Sequence, residues 1–172
     1  MYDERFIAPM RAELTQLGVQ ELKTAAEVDQ ALKDADGTTL VVVNSMCGCA
    51  ARNARPAVRS ALEHAAKPDK SVSVFAGQDP EPTQQARSYF TGYRPSSPSI
   101  ALMKDGKVVF MLERHQIEGR SADEISHDLV GAFDTTAPDT RTQLTTIAAT
   151  RFVPGCRFVF CVSDQFTNTE AI

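Results

Sequence analysis

The chain contains no tryptophan, only three histidines and four cysteines in 172 residues, and no block of basic residues; its formal net charge is −4. Without a basic patch or stripe there is no electrostatic footprint for a phosphate backbone or an anionic lipid surface, which argues against nucleic acid and membrane as partners and leaves a protein or a small molecule. Nowhere do 18 apolar residues run together, so no transmembrane helix is expected. The opening Met1-Tyr2-Asp3-Glu4-Arg5 is charged and no apolar signal core follows it, from which a cytoplasmic protein is expected. Under that expectation the cysteines do not form a structural disulfide framework, because the cytosol keeps ordinary thiols reduced. Redox or metal chemistry is what remains for them. The length suffices for one domain with a sizeable core.

The cysteines that matter stand in Met46-Cys47-Gly48-Cys49-Ala50, directly after the apolar run Thr39-Leu40-Val41-Val42-Val43-Asn44. A β-branched strand ends there and an Ala- and Arg-rich helical stretch begins. Helix N-termini present unpaired N–H groups and a positive dipole end, which favour thiolate over thiol at the first cysteine. The spacing is tighter than Cys-x-x-Cys. In helical geometry residues i and i+2 lie roughly 5.5 Å apart at Cα, while their Cβ vectors diverge by about 200° around the axis. A Cys47–Cys49 disulfide is therefore expected to be strained, labile and oxidising.

Around this motif the pattern gives a helix over Arg5 to Leu17, a short strand at Val19 to Leu22, and a helix capped by Thr24 and stopped by Asp36-Gly37. The buried strand ending at Val43 follows. A helix from Cys47 to about Ala66 is predicted to break or kink at Pro56, which lacks an amide donor. Next come a strand at Ser71 to Phe75, a helix at Pro82 to Phe90, and a strand at Ser99 to Met103. Lys104-Asp105-Gly106-Lys107 turns into a strand at Val108 to Leu112, and Ser121 caps a last helix through Phe133. Strands and helices alternate and finish as a hairpin and a helix. That order is an α/β, thioredoxin-like plan: a mixed central sheet flanked by helices on both faces. The domain is expected to span residues 1–134. Residues 135–172 read as a C-terminal extension, linker-like at first and then strand-like around Pro154-Gly155, either an added hairpin on a sheet edge or a poorly ordered segment.

Several separated stretches resemble the bacilliredoxins, thioredoxin-like proteins with a Cys-Gly-Cys site. They are Ala8 to Leu14, Val41 to Ala51, Val74 to Asp79, Tyr89 to Gly92, Ser96 to Ser99 and Arg114 to Gly119, in that order along most of the chain. The resemblance implies a thiol-disulfide oxidoreductase that reduces mixed disulfides between protein cysteines and the low-molecular-weight thiol bacillithiol, with weak disulfide isomerase activity. It implies Cys47 as the attacking cysteine and Cys49 as the resolving one. Bacillithiol would be a co-substrate, S-thiolated client proteins the partners, and no tightly bound cofactor or metal is implied. It also implies a cis bond at Ser97-Pro98, beside the cysteines, where the backbone of Ser97 can pair with an extended substrate segment. Some members end shortly after the position of Phe133 with a third cysteine; Cys156 and Cys161 do not align with it.

Each residue has a plainer reading as well. Buried free cysteines pack as small hydrophobes, but Cys47 and Cys49 sit at a strand-to-helix junction where Gly48 lets a partner backbone approach. A zinc site from Cys47, Cys49, Cys156 and Cys161 would use Cys-x-Cys and Cys-x4-Cys, which are not common structural-zinc spacings. The alternative to redox turnover is a cysteine-based metal-binding or protein-binding module. His115 reads as a proton carrier or as a loop-bracing residue. Asn44 and Ser45 read as turn-shaping residues, and Arg52 and Arg55 either favour an anion at Cys47 or are surface charges.

Overall fold

A computed structural model describes residues 2–33 and 35–136. The elements are α1 (Glu4–Thr15), β1 (Gln20–Glu21), α2 (Ala25–Leu32), β2 (Thr38–Asn44), a π-helical segment (Ala50–Ala54), α3 (Arg55–Leu62), β3 (Lys70–Phe75), α4 (Pro80–Ser88), β4 (Ser99–Lys104), β5 (Lys107–Leu112), α5 (Arg114–Ile117) and α6 (Ala122–Thr136). Of the expected extension 135–172, Thr135 and Thr136 continue α6, and residues 137–172, with Cys156 and Cys161, lie outside the described residues.

The strands form one sheet in the order β1-β3-β2-β4-β5. The β1–β3 and β3–β2 pairs are parallel; β2–β4 and β4–β5 are antiparallel. This mixed sheet agrees with the α/β, thioredoxin-like expectation. β2 is central and buried along its whole length, which explains why it reads as an unbroken apolar run and not as an alternating one. Its side chains divide between two cores. Leu40 and Val42 pack with Leu14, Val58, Ile100, Leu102, Leu129 and Phe133, placing α1, α3 and α6 on one face. Val41 and Val43 pack with Val28, Leu32, Val72, Val74, Ala86 and Met103, placing α2 and α4 on the other. Such two-sided burial fixes the register of β2, since a slip of one residue would exchange its two faces.

Local signals act where they were read. Thr24 and Glu27 form a reciprocal capping box at the start of α2. Asp105 and Gly106 both adopt positive φ, 49° and 73°, which a tight hairpin turn demands. Of the break or kink predicted at Pro56, the structure shows a break: a π-helical segment ends at Ala54 with Arg55 N–H bonded to Ala50 O, five residues back, and α3 starts afresh at Arg55 with Pro56 in its first turn, where no amide donor is needed. Moreover, α5 was not anticipated; Glu113 and Gln116 close it with a capping box of their own.

Candidate functional site

Central β2 ends at Asn44, and the chain passes through Ser45 and turns at once into the helical residues that begin at Gly48. The turn is braced from below. Asn44 Oδ1 accepts from Ser45 N–H at 2.8 Å and from Arg55 Nη1 at 3.2 Å, and Asn44 Nδ2 donates to Met10 O at 3.3 Å. Arg55, buried, also donates to Ser45 O at 3.2 Å and to Glu13 at 2.7 and 3.2 Å. Arg55 is therefore neither a surface charge nor a ligand of the thiol; it locks α1 and α3 to the turn. Arg52 is exposed, and its guanidinium lies over Gly48.

On this platform Cys47 takes the place of a helix-capping residue. Its carbonyl accepts from Ala51 N–H at 3.1 Å, and its Sγ accepts from Ala50 N–H at 3.3 Å. Ser45 Oγ stands 3.3 Å from the same sulfur. Burial pushes the Cys47 thiol up, but the Cys49 thiol, Ser45 Oγ and the N–H groups of Ala50 and Cys49 outweigh it, so the thiol is held below its ordinary range. Cys49 moves the other way. Burial raises it first, its hydrogen bond to Cys47 and the charge of Cys47 raise it further, and Arg114 with the Cys49 N–H oppose them only in part. Both cysteines are free and half-buried. One thiol biased toward thiolate beside another biased away from it suits a two-step exchange.

Next to Cys47 runs an open groove of about 300 Å³, with Tyr2, Met46, Gly77, Ser97 and Arg114 among its walls. The Ser97–Pro98 bond is cis, as the resemblance implied, and Pro98 is buried. The groove thus brings Cys47 and Ser97 together, with Gly48 and Cys49 on the adjoining helical turn. Gly77 has φ +86°, and a side chain there would meet the ring of Tyr2, 3.4 Å away. The Tyr2 backbone is held by Gln78 through two hydrogen bonds of 2.7 and 3.2 Å. His115 is 73% exposed and sits 3.9 Å from Glu113; it does not line the groove. A larger open groove, about 410 Å³ between β5 and α6, contains neither cysteine.

Tyr2 had no part in the reading of the motif, and Glu13 and Arg114 entered the sequence reading only as members of stretches that carry the resemblance, with no role of their own. Glu13 and Tyr2 carry no local signal, since their contacts cross 42 and 76 residues of chain. Among the described residues no three His, Cys, Asp or Glu side chains gather as a metal site requires, and no helix is long and apolar enough to cross a membrane.

Comparison with known proteins extends the picture. A family model described as disulphide isomerase matches residues 2–137. The bacilliredoxin of Koribacter versatilis (strain Ellin345) is 54% identical over 134 residues, covering 78% of this chain and 92% of that protein. The bacilliredoxin of Salinibacter ruber (strain DSM 13855 / M31) is 54% identical over 137 residues, covering 77% and 79%. That of Staphylococcus haemolyticus (strain JCSC1435) is 52% identical over 134 residues, covering 78% and 92%. A solved protein with a thioredoxin fold superposes with a TM-score of 0.52 at 15% identity, over 66% of this chain and 95% of its own.

Proposed function

We propose that this chain, which belongs to the bacilliredoxin family and is a thiol-disulfide oxidoreductase, attacks mixed disulfides through Cys47 and resolves the product through Cys49. The substrate is a client protein whose cysteine is bonded to bacillithiol. The observation that carries the reading is the opposed bias of the two thiols. Ala50 N–H and Ser45 Oγ favour the Cys47 thiolate, while Cys49 keeps its proton.

The Cys47 thiolate attacks the sulfur of the small thiol. A bond forms between Cys47 Sγ and that sulfur, the client–sulfur bond breaks, and the client leaves as a thiolate that takes a proton from water. Cys49 then attacks Cys47 Sγ, forming the Cys47–Cys49 disulfide and releasing the small thiol as a thiolate, or a second small thiol attacks the sulfur of the bound one, forming the small thiol's own disulfide and freeing Cys47. No electrons pass to a bound cofactor, because the sulfurs carry them. Gly48 leaves room for the client backbone beside the thiolate, and Ser97, next to cis-Pro98, is the backbone edge on which an extended client segment lies. Weak isomerase activity follows from the same chemistry when the attacked disulfide is internal to the client. We place this reaction in the cytoplasm, where mixed disulfides of this kind need reversal.

Intact-mass analysis tests the reading. After mixing with a bacillithiolated protein, the Cys49→Ser variant should carry the added mass of one bacillithiol on Cys47, and the Cys47→Ser variant should carry none and restore no client thiol. An active Cys47→Ser protein overturns the assignment, and stoichiometric metal retained by Cys47 and Cys49 points to the metal-binding alternative.

A further inference from the structure

The groove beside Cys47 encloses about 300 Å³, the size of space in which proteins hold compact small molecules. Its apolar walls come from Met46, Ala76 and the ring of Tyr2, and no carboxylate lines it. Apart from Cys47 itself, Arg114 is the one charged side chain among the described residues that line it. That cation is held in place by the fold. Its backbone N–H donates to Ser96 Oγ at 3.3 Å and its Nη1 to Ser97 O at 3.3 Å. Asn53 Nδ2 donates to Ile117 O at 3.1 Å and to Arg120 O at 2.6 Å, which ties α5 to the helical stretch after Cys47. A charge anchored in this way loses little freedom when it takes a ligand.

The acids near Arg114 leave this charge available. Glu118 Oε2 lies 3.4 Å from Nε in an exposed pair, which is a weak contact in water. The Glu113 carboxylate accepts from Gln116 N–H in the cap of α5 and does not line the groove. The guanidinium is nearly half exposed, and its Nη2 has no partner among the described residues. A chain of net charge −4 whose nucleophile is a thiolate repels an anionic substrate, and a fixed cation in the groove offsets that repulsion where the sulfurs must meet. Carboxylate is also the group that a guanidinium binds best, through paired charge-assisted hydrogen bonds.

We propose that the groove is the seat of the small-thiol half of the mixed disulfide, and that Arg114 makes it selective for a small thiol that bears a carboxylate. The inference rests on the proposed attack by Cys47 and adds the residue that reads the small thiol. With the carboxylate at Arg114, the sulfur of the small thiol is presented to the Cys47 thiolate. The bond from Cys47 Sγ to that sulfur forms, the bond from that sulfur to the client cysteine breaks, and the client leaves as a thiolate that water protonates. The small thiol stays in the groove as the Cys47 adduct. Arg114 takes no part in the bond exchange itself, so its effect follows the charge of the small thiol and not the reactivity of the disulfide.

The test uses the full-length protein in a Cys49→Ser background and one client protein thiolated with N-acetylcysteine, with its neutral amide, or with cationic cysteinamide. Transfer of each small thiol to Cys47 is followed by intact mass, and each variant is compared with its parent on the same adduct, which cancels differences in intrinsic reactivity. In Arg114→Gln, transfer from the N-acetylcysteine adduct should slow about three- to tenfold, while transfer from the neutral adduct changes less than about twofold. Arg114→Lys should keep most of the preference, Arg114→Glu should turn it toward the cationic adduct, and high salt should narrow it. Equal slowing of all three adducts overturns the inference, since it marks a structural role or a contact with an acidic group of the client, which is common to all three. Unchanged rates in Arg114→Gln overturn it as well. The two readings fail differently: adducts that form in Cys47→Ser, or on none of the proteins, remove the attack by Cys47, and capture of the client in place of the small thiol removes the seat in the groove. Normal transfer to Cys47 with no charge dependence removes only the role of Arg114.

Discussion

Replacing Ser45 by alanine separates thiolate stabilisation from scaffold support. Ser45 Oγ lies 3.3 Å from Cys47 Sγ and donates to it when the sulfur is ionised. A hydrogen bond to a charged group contributes about 1.5–3 kcal/mol, but Cys47 is half-buried and water replaces part of the loss, so about 1 kcal/mol is the appropriate figure. That corresponds to a thiolate population about fivefold lower on the acid side of the titration. The rate does not fall by the same factor. A more basic thiolate is a better nucleophile, with a Brønsted slope of about 0.4–0.5, which returns nearly half of the loss on a logarithmic scale. The sign follows directly: Cys47 is held below the ordinary thiol range, and removing a donor moves its midpoint up. Below the midpoint Ser45→Ala should react about 2.5-fold more slowly than the parent. Above it, where both proteins are fully ionised, it should react about twofold faster. The two pH–rate curves must therefore cross. Attack on a small neutral disulfide, followed in a Cys49→Ser background so that only the first step is seen, measures both limbs. Parallel curves with a common midpoint would refute the reasoning, because they would assign Ser45 to packing alone.

Two further substitutions probe the platform and the approach to it. Arg55→Met removes the donors to Asn44 Oδ1 and Ser45 O and strips Glu13 of its partner; urea denaturation should show a loss of about 2 kcal/mol, and a change within about 0.5 kcal/mol would show that the brace is redundant. Gly48→Ala should leave stability within about 0.5 kcal/mol, because the added methyl meets only the far end of Arg52 at 3.3 Å, yet it should slow exchange with an S-thiolated protein more than exchange with a small disulfide. Equal slowing of both reactions would remove Gly48 from the client-docking surface.

The parts of this protein that were legible in its sequence are those whose physics is local. An unbroken Leu-Val-Val-Val run needs apolar cover on both sides, so β2 had to be interior, and its residues do alternate between two cores. Thr24 and Glu27 satisfy each other within one turn, and Asp105-Gly106 meets the positive φ of a tight hairpin unaided. The Cys-Gly-Cys motif was legible for the same reason: strand end, capping position and helix start follow one another within a few residues. Pro56 shows where local reading stops. Its missing N–H signalled disruption correctly, but the choice between a kink and a widened turn belongs to the packing of α3 against α6 and of Arg55 against the β2 turn.

Arg55 and Arg114 show the complementary failure, and only one of them was beyond reach. Nothing near Arg55 in the sequence reveals that Glu13 and the Asn44 turn meet it, since an Ala- and Arg-rich helix presents several arginines and the buried one is chosen by the orientation of α3. Arg114 was within reach. The Asp105-Gly106 turn pairs Lys104 with Lys107 and Met103 with Val108, and continuing outward along that register carries Ser97 to Arg114. The bulge at Leu102/Met103 shifts the later pairs by one residue, to Ile100 with Leu112, where the ladder ends; the chain then turns into α5, and Arg114 at its start donates to the Ser97 carbonyl at 3.3 Å. A hairpin read only as a fold element is thus also a ruler. Here it measures the cis-proline edge, where a client is proposed to lie, against the guanidinium that lines the Cys47 groove. A change in hairpin register should therefore disturb client docking beside Cys47.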